Sequence, residues 1–167
     1  TIFRVEPMRD EFFTRRRNPV ENGSSNDLNR FVTAQQDSYE SVIAELNAGQ
    51  KSSHWMWYIF PQIRGLGHSP MAIKYAIQSQ EEARAYAQHP VLGERLKQCT
   101  RLVNAISGKS IDLIFGFPDN LKFRSCMTLF AECAAESGIF EEALRKYFNG
   151  EPDPLTIQIL ARLRSEP

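Results

Sequence analysis

From Leu28 onward, apolar side chains return every three or four residues, at Leu28, Phe31, Val32, Tyr39, Val42, Ile43 and Leu46. That spacing predicts one helix with a single buried face, capped by Ser25 or Asn26 and closed at Gly49, where glycine takes a left-handed conformation freely. The next stretch, HWMWYIFP over residues 54–61, is apolar on every side and short. It is expected to be largely buried and to stop at Pro61. Ser69 and Pro70 then have the order of a cap and a first helical residue, opening a helix with Met71, Ile73, Tyr75, Ala76 and Ile77. Ser79 and Glu82 have capping-box spacing ahead of Ala83, Tyr86 and Ala87. Pro90 opens a further helix burying Leu92, Leu96, Cys99, Leu102, Val103 and Ile106, with Gly108 as its stop. Residues 111–117, IDLIFGF, fit a short helix or a strand equally well. After the turn at Pro118, Asp119 and Asn120, a long helix over about 120–137 would bury Leu121, Met127, Phe130, Cys133 and Ala134 and end at Gly138. Two short helices follow, the second capped at Asp153 and Pro154.

The expected fold is therefore mainly α, a single compact multi-helix domain of six to eight helices over residues 26–167, possible short strands numbering one or two. Residues 1–25 lack sustained periodicity and read as a flexible N-terminal arm, with Arg15, Arg16 and Arg17 in a solvated tail. No period of 20 to 50 residues recurs, which excludes a solenoid.

Composition narrows the function classes. The 167 residues carry 20 Lys plus Arg against 20 Asp plus Glu, with 42% hydrophobic and 11% aromatic side chains. A chain of this length buries roughly 70% of its unfolded surface, enough for a real core. Zero net charge removes the electrostatic footprint expected of a duplex nucleic-acid binder, so an anionic ligand must be held locally. No apolar run suits a membrane span, and a cytoplasmic location is expected. Cys99, Cys126 and Cys133 are odd in number and lack CxxC spacing, which reads as three reduced, buried thiols.

Three places carry candidate chemistry. Arg64, Gly65, Gly67, His68 and Ser69 form a two-glycine turn before a helix start, a layout suited to phosphate, with Arg64 and Lys74 adding charge. Beside it, Trp55 and Trp57 offer stacking faces and His54 and Gln62 polar contacts, although most of that run also has the character of core. Asp119, Lys122, Arg124 and Ser125 lie at the start of the long helix, where Asp119 is either a cap or a general acid, base or cation stabiliser in a cleft. A nucleophilic Cys126 is disfavoured because no His is placed to activate it, and the three histidines lack metal-ligand spacing.

Three segments, SHWMWYIFPQIRGLGHSPMA, EEARAYAQHPVLGERL and IFGFPDNLKFRSCMTLF, resemble in order the bacterial domain-of-unknown-function family 1810. Some of its members bear the label calpastatin, which does not suit an aromatic-rich chain patterned to fold. The family in turn resembles, distantly, the NADAR and riboflavin-pathway N-glycosidase superfamily (YbiA-like), small α-helical enzymes that cleave N-glycosidic bonds to ribose phosphate or ADP-ribose. That likeness implies a ribose phosphate at the turn of Arg64, Gly65, Gly67 and Ser69, Trp55 or Trp57 against the leaving base, and a catalytic Asp119 near the anomeric carbon; the residue chemistry above adds Gln62, Lys122 and Ser125 as expected substrate contacts and His54 as an expected second catalytic group. The implied partner is a small phosphorylated nucleotide or ribosyl metabolite, with no cofactor and no metal. Three readings follow: an N-glycosidase acting on that metabolite; a non-catalytic module that binds it, since the superfamily's second carboxylate has no placed counterpart; or a motif density around His54 that only maintains a shared structural core, with function on another surface.

Overall fold

The computed structural model describes residues 27–166; the arm expected over residues 1–25 and the caps expected at Ser25 or Asn26 lie outside the described residues. The stripe that begins at Leu28 folds as two helices rather than one, α1 (Asn29–Gln36) and α2 (Tyr39–Asn47). The chain breaks at Asp37 and Ser38, and the Ser38 hydroxyl turns back to donate to the Ala34 carbonyl. Gly49 follows α2 with φ +73°, as its place after the stripe predicts. The apolar run holds α3 (Met56–Ile59), and Ser69 caps α4 (Pro70–Lys74) by accepting from the Ala72 N–H. Next come α5 (Gln80–Gln88), α6 (Leu92–Ala105), α7 (Ile111–Phe115), α8 (Asp119–Cys133), α9 (Gly138–Phe148) and α10 (Pro154–Ser165).

Among the described residues the fold is mainly α, with ten helices and no sheet. The split of the first helix and the helical turn at α3 account for the two beyond the expected range. Strand-like pairing is confined to one parallel bridge, Ile63 with Ile77. Several boundaries move. Helix α4 stops at Lys74, so Tyr75, Ala76 and Ile77, expected on it, lie beyond its end, and the chain extends there to pair Ile77 with Ile63. Helix α8 ends at Cys133, with Ala134 already extended at ψ 141°, and Gly138 opens α9 instead of closing α8. Leu121, expected in the core, is 49% exposed, because the buried face of α8 begins at Phe123.

Helix α8 is the central strut and packs against α5, α7, α9 and α10, while α6 packs against α2, α5 and α9. An aromatic cluster ties the 55–60 run to this strut. Phe60 meets Phe123 at 5.1 Å and Phe115 at 5.8 Å, and Trp55 reaches Phe60 at 6.2 Å between ring centroids. Such pairs add to plain area burial and fix the angle between elements. Their consequence is positional: the segment before Trp55 is held against the end of α7 and the start of α8, where the Lys51 N–H donates to the Ile114 carbonyl at 2.8 Å.

Candidate functional site

The start of α8 is braced by its own turn. Gly116, with φ +73°, donates its N–H to Asp112, while the Asn120 N–H donates to the Gly116 carbonyl and its side-chain amide to Asp112 Oδ1 at 2.6 Å. Asp119 is then the first residue of the helix and caps nothing with its side chain. Its carboxylate instead receives two ammonium groups, Lys51 Nζ at 2.8 Å and Lys122 Nζ at 3.4 Å. Lys51 is only 8% exposed and Asp119 19%, so water screens the first contact weakly. Each ammonium also lies over an indole, Lys51 over Trp55 at 5.1 Å and Lys122 over Trp57 at 5.0 Å. The ring quadrupole attracts a cation there, which holds both lysines in place. Two ammonium groups around one carboxylate leave an excess of one positive charge. The helix N-terminus adds to that positive field.

Lys51 and Glu45 are the members that sequence reasoning misses. Glu45, on α2, accepts from the Ser52 and Ser53 N–H groups at 2.5 and 2.7 Å, from Ser53 Oγ at 2.5 Å and from Trp55 Nε1 at 3.2 Å. It thereby shapes the loop that carries Lys51, His54 and Trp55. Burial alone would raise its carboxyl, but these hydrogen bonds outweigh that and hold it at about 2, below the usual 4.5. A depressed folded value means stability that is complete above pH 4.5 and is lost as pH falls toward 2. The wild type is expected to lose melting temperature across that window more steeply than Glu45→Gln. A pH series of thermal melts checks this; parallel curves contradict it.

The other predicted residues are placed as follows. Trp55 is in the core at 1% exposure, and its ring meets Phe60 and Phe115 rather than open space. His54 is exposed on the loop and makes no hydrogen bond among the described residues. Ser125 is buried, with its hydroxyl between the Leu121 carbonyl and Asp153 Oδ2, so its polar capacity is spent inside the fold. Asp153 in turn caps α10 by accepting from Thr156. The glycine turn is paired to residue 77 on both sides, Arg64 N–H to the Ile77 carbonyl and Ile77 N–H to the Gln62 carbonyl. The crevice among Trp57, Gln62, Gly65 and Gly67 holds about 20 Å³, room for roughly one water and no phosphate. Arg64 points to Glu166 at 3.9 Å, and the Ser69 hydroxyl is taken by its own helix. Trp57 joins the two regions, since it lines this crevice and also carries Lys122 over its ring. The predicted residues thus converge on Asp119, Lys122 and Trp57, with Lys51 added.

The three cysteines are free and buried. Burial pushes the Cys126 thiol well above its ordinary value and Cys99 up to about 12, which disfavours a thiolate at neutral pH. Among the described residues, no group of three or more His, Cys, Asp or Glu is placed to hold a metal ion, and no helix is long and apolar enough to cross a membrane.

A comparison with curated proteins finds no match. Among solved structures, the conserved hypothetical protein Rv1873 from Mycobacterium tuberculosis is similar, with 54% sequence identity and a TM-score of 0.80 over 81% of this chain and 96% of that one. The family model described as "Protein of unknown function (DUF1810)" matches residues 25–160. That span includes Lys51, Trp57, Asp119 and Lys122 and all three resembling segments, and the chain belongs to the DUF1810 family.

Proposed function

We propose that the chain binds a small phosphorylated ribosyl or nucleotide metabolite at the Lys51–Asp119–Lys122 cluster. The observation that carries this reading is the pair of ammonium groups at 2.8 and 3.4 Å from one carboxylate, each against an indole face. Lys122 is the longer and more exposed partner, at 24% against 8%, and is the one a phosphate draws away from Asp119. Ribose hydroxyls then donate to the carboxylate, and the half-buried Trp57 offers an aromatic surface to a base. In isothermal titration calorimetry, ADP-ribose and ribose 5-phosphate are expected to bind the wild type saturably. Lys122→Met is expected to weaken both by about tenfold or more, since a charge-assisted hydrogen bond contributes about 1.5–3 kcal/mol. Saturable heat that Lys122→Met leaves unchanged, or no heat with either ligand, contradicts the assignment.

The partial exposure of Asp119 favours a second reading, N-glycoside hydrolysis. Cleavage of that bond builds positive charge on the ribose ring, which a carboxylate beside the anomeric carbon stabilises. Water adds to that carbon as the C–N bond breaks and gives its proton to the Asp119 carboxylate. The pyridinium nitrogen of NAD leaves as a neutral base without a proton, whereas a pyrimidine leaving nitrogen takes one from a second group. His54, three residues from Lys51, or a water on Gln62 would supply it. Chromatography of NAD and ribosylated pyrimidines incubated with the protein tests this. Free base released by the wild type and lost in Asp119→Asn supports hydrolysis; no release leaves binding alone.

A further inference from the structure

The elbow between α7 and α8 leaves apolar surface uncovered. Leu113 is 65% exposed, Phe117 82% and Leu121 49%, half of the large apolar side chains exposed among the described residues, and they recur at every fourth position. Scattered single residues of this kind need no explanation, but a grouped set marks a contact surface. The elbow that carries them is braced. The Gly116 N–H donates to the Asp112 carbonyl, the Asn120 N–H to the Gly116 carbonyl, and the Asn120 amide to Asp112 Oδ1 at 2.6 Å. A surface already ordered in this way loses little entropy when a partner covers it.

Beside the stripe, Leu121 lines a cleft of about 490 Å³ together with Lys109, Asp112, Lys146, Tyr147 and Phe148. The lining carries two ammonium groups against one carboxylate, and that carboxylate is taken by Asn120. Lys109 Nζ donates to the Gly49 carbonyl at 3.1 Å, and Lys146 Nζ to the Asn104 and Ile106 carbonyls at 2.5 and 2.6 Å. Neither lysine forms an ion pair among the described residues. Each ammonium therefore keeps at least one N–H to donate. The stripe and the cleft share no residue with Lys51, Trp57, Asp119 and Lys122.

We propose that this elbow is a docking surface for an acidic amphipathic segment of a partner protein. Large apolar side chains on one face of that segment cover Leu113, Phe117 and Leu121, as a helix lies on an apolar groove, and carboxylates beside them meet Lys109 and Lys146. Charge complementarity sets the sign: the whole chain is neutral, so the positive excess at this cleft is local. Ammonium groups anchored to carbonyls in a cleft suit a side chain that enters it, whereas a lipid surface is met by lysines standing free in solvent.

The test is selection from a displayed library of random dodecapeptides on the full chain, followed by titration of the enriched peptides into isotopically labelled protein. Sequences that combine Asp or Glu with Leu, Phe or Trp are expected to be enriched, to shift the Leu113, Leu121 and Lys146 amides saturably, and to bind more weakly as salt is raised. Phe117→Ser changes an exposed side chain, and is expected to keep the wild-type melting temperature and to lose at least tenfold in affinity for these peptides. No enrichment, enrichment of basic sequences, shifts located elsewhere, or equal affinity in folded Phe117→Ser overturns the proposal. So does a wild type that sediments with phosphatidylserine vesicles or as a dimer, with either behaviour abolished in Phe117→Ser, because a lipid surface or a second copy would then be the occupant.

Discussion

Glu82→Ala is expected to destabilise the protein by about 3–5 kcal/mol, the usual cost of leaving a buried charge without its partner. For a chain of this size that corresponds to a fall in melting temperature of about 6–20 °C. Glu82 is 2% exposed, and its carboxylate meets Arg30 Nη2 at 2.6 Å, while Arg30 itself is 13% exposed. The same guanidinium donates to the carbonyls of Lys74 at 2.9 Å and Ala76 at 2.8 Å, and Glu82 also accepts from the Gln78 N–H. One ion pair therefore fastens α1 to the 74–82 segment, across 52 positions of sequence. Alanine would leave the guanidinium with carbonyl partners only. Glu82→Gln keeps an acceptor and is expected to cost less. Glu166→Ala removes an exposed partner 3.9 Å from Arg64 and is expected to change stability by about 0.5 kcal/mol or less. Equal melting temperatures for Glu82→Ala and Glu166→Ala would contradict the buried strap.

Gly93→Ala is expected to destabilise by about 1–3 kcal/mol, against the usual gain from replacing a helical glycine with alanine. The new Cβ would stand 2.2 Å from the Ala87 carbonyl oxygen and 2.9 Å from its carbon. Both are backbone atoms of α5, so the clash cannot be relieved by a side-chain rotation, and the two helices must separate. Gly138→Ala offers the contrast, because nothing lies within 4 Å of its added Cβ and its φ is an ordinary negative one. It is expected to be neutral or stabilising by up to about 1 kcal/mol. In thermal or urea melts Gly93→Ala should fall below the wild type, while Gly138→Ala should match or exceed it. A stabilised Gly93→Ala would mean that α5 and α6 approach less closely than described.

Local chemistry made much of this fold legible. Ser69, Ser79 and Asp153 accept from the N–H three residues on, as their positions before apolar-periodic runs imply. The break at Asp37 and Ser38 was not legible, since the apolar spacing runs through it with neither Gly nor Pro to mark it. Gly138 misled for a related reason: glycine suits the region after a helix, and here it opens the next one. Glu82 fitted a capping box, but its carboxylate reaches Gln78 and Arg30 instead. The candidate site divides the same way. Asp119, Lys122 and Trp57 stood out by residue type beside turns and aromatics. Lys51 lies in a polar stretch 68 positions before Asp119, and only the packing of the aromatic run on α7 and α8 brings them together. The two-glycine turn had the composition of a phosphate cradle, but the Ile63 to Ile77 bridge and the cap at Ser69 consume its polar groups.

The proposed ligand site is the ammonium pair around Asp119, and titration of the labelled full chain with ADP-ribose, followed by amide and indole resonances, tests it. The predicted result is saturable shifts at Lys51, at the Trp57 indole N–H and over Asp119–Lys122, weakened about tenfold or more in Lys122→Met. Saturable shifts that bypass these residues, or a Lys122→Met response equal to the wild type, would contradict it.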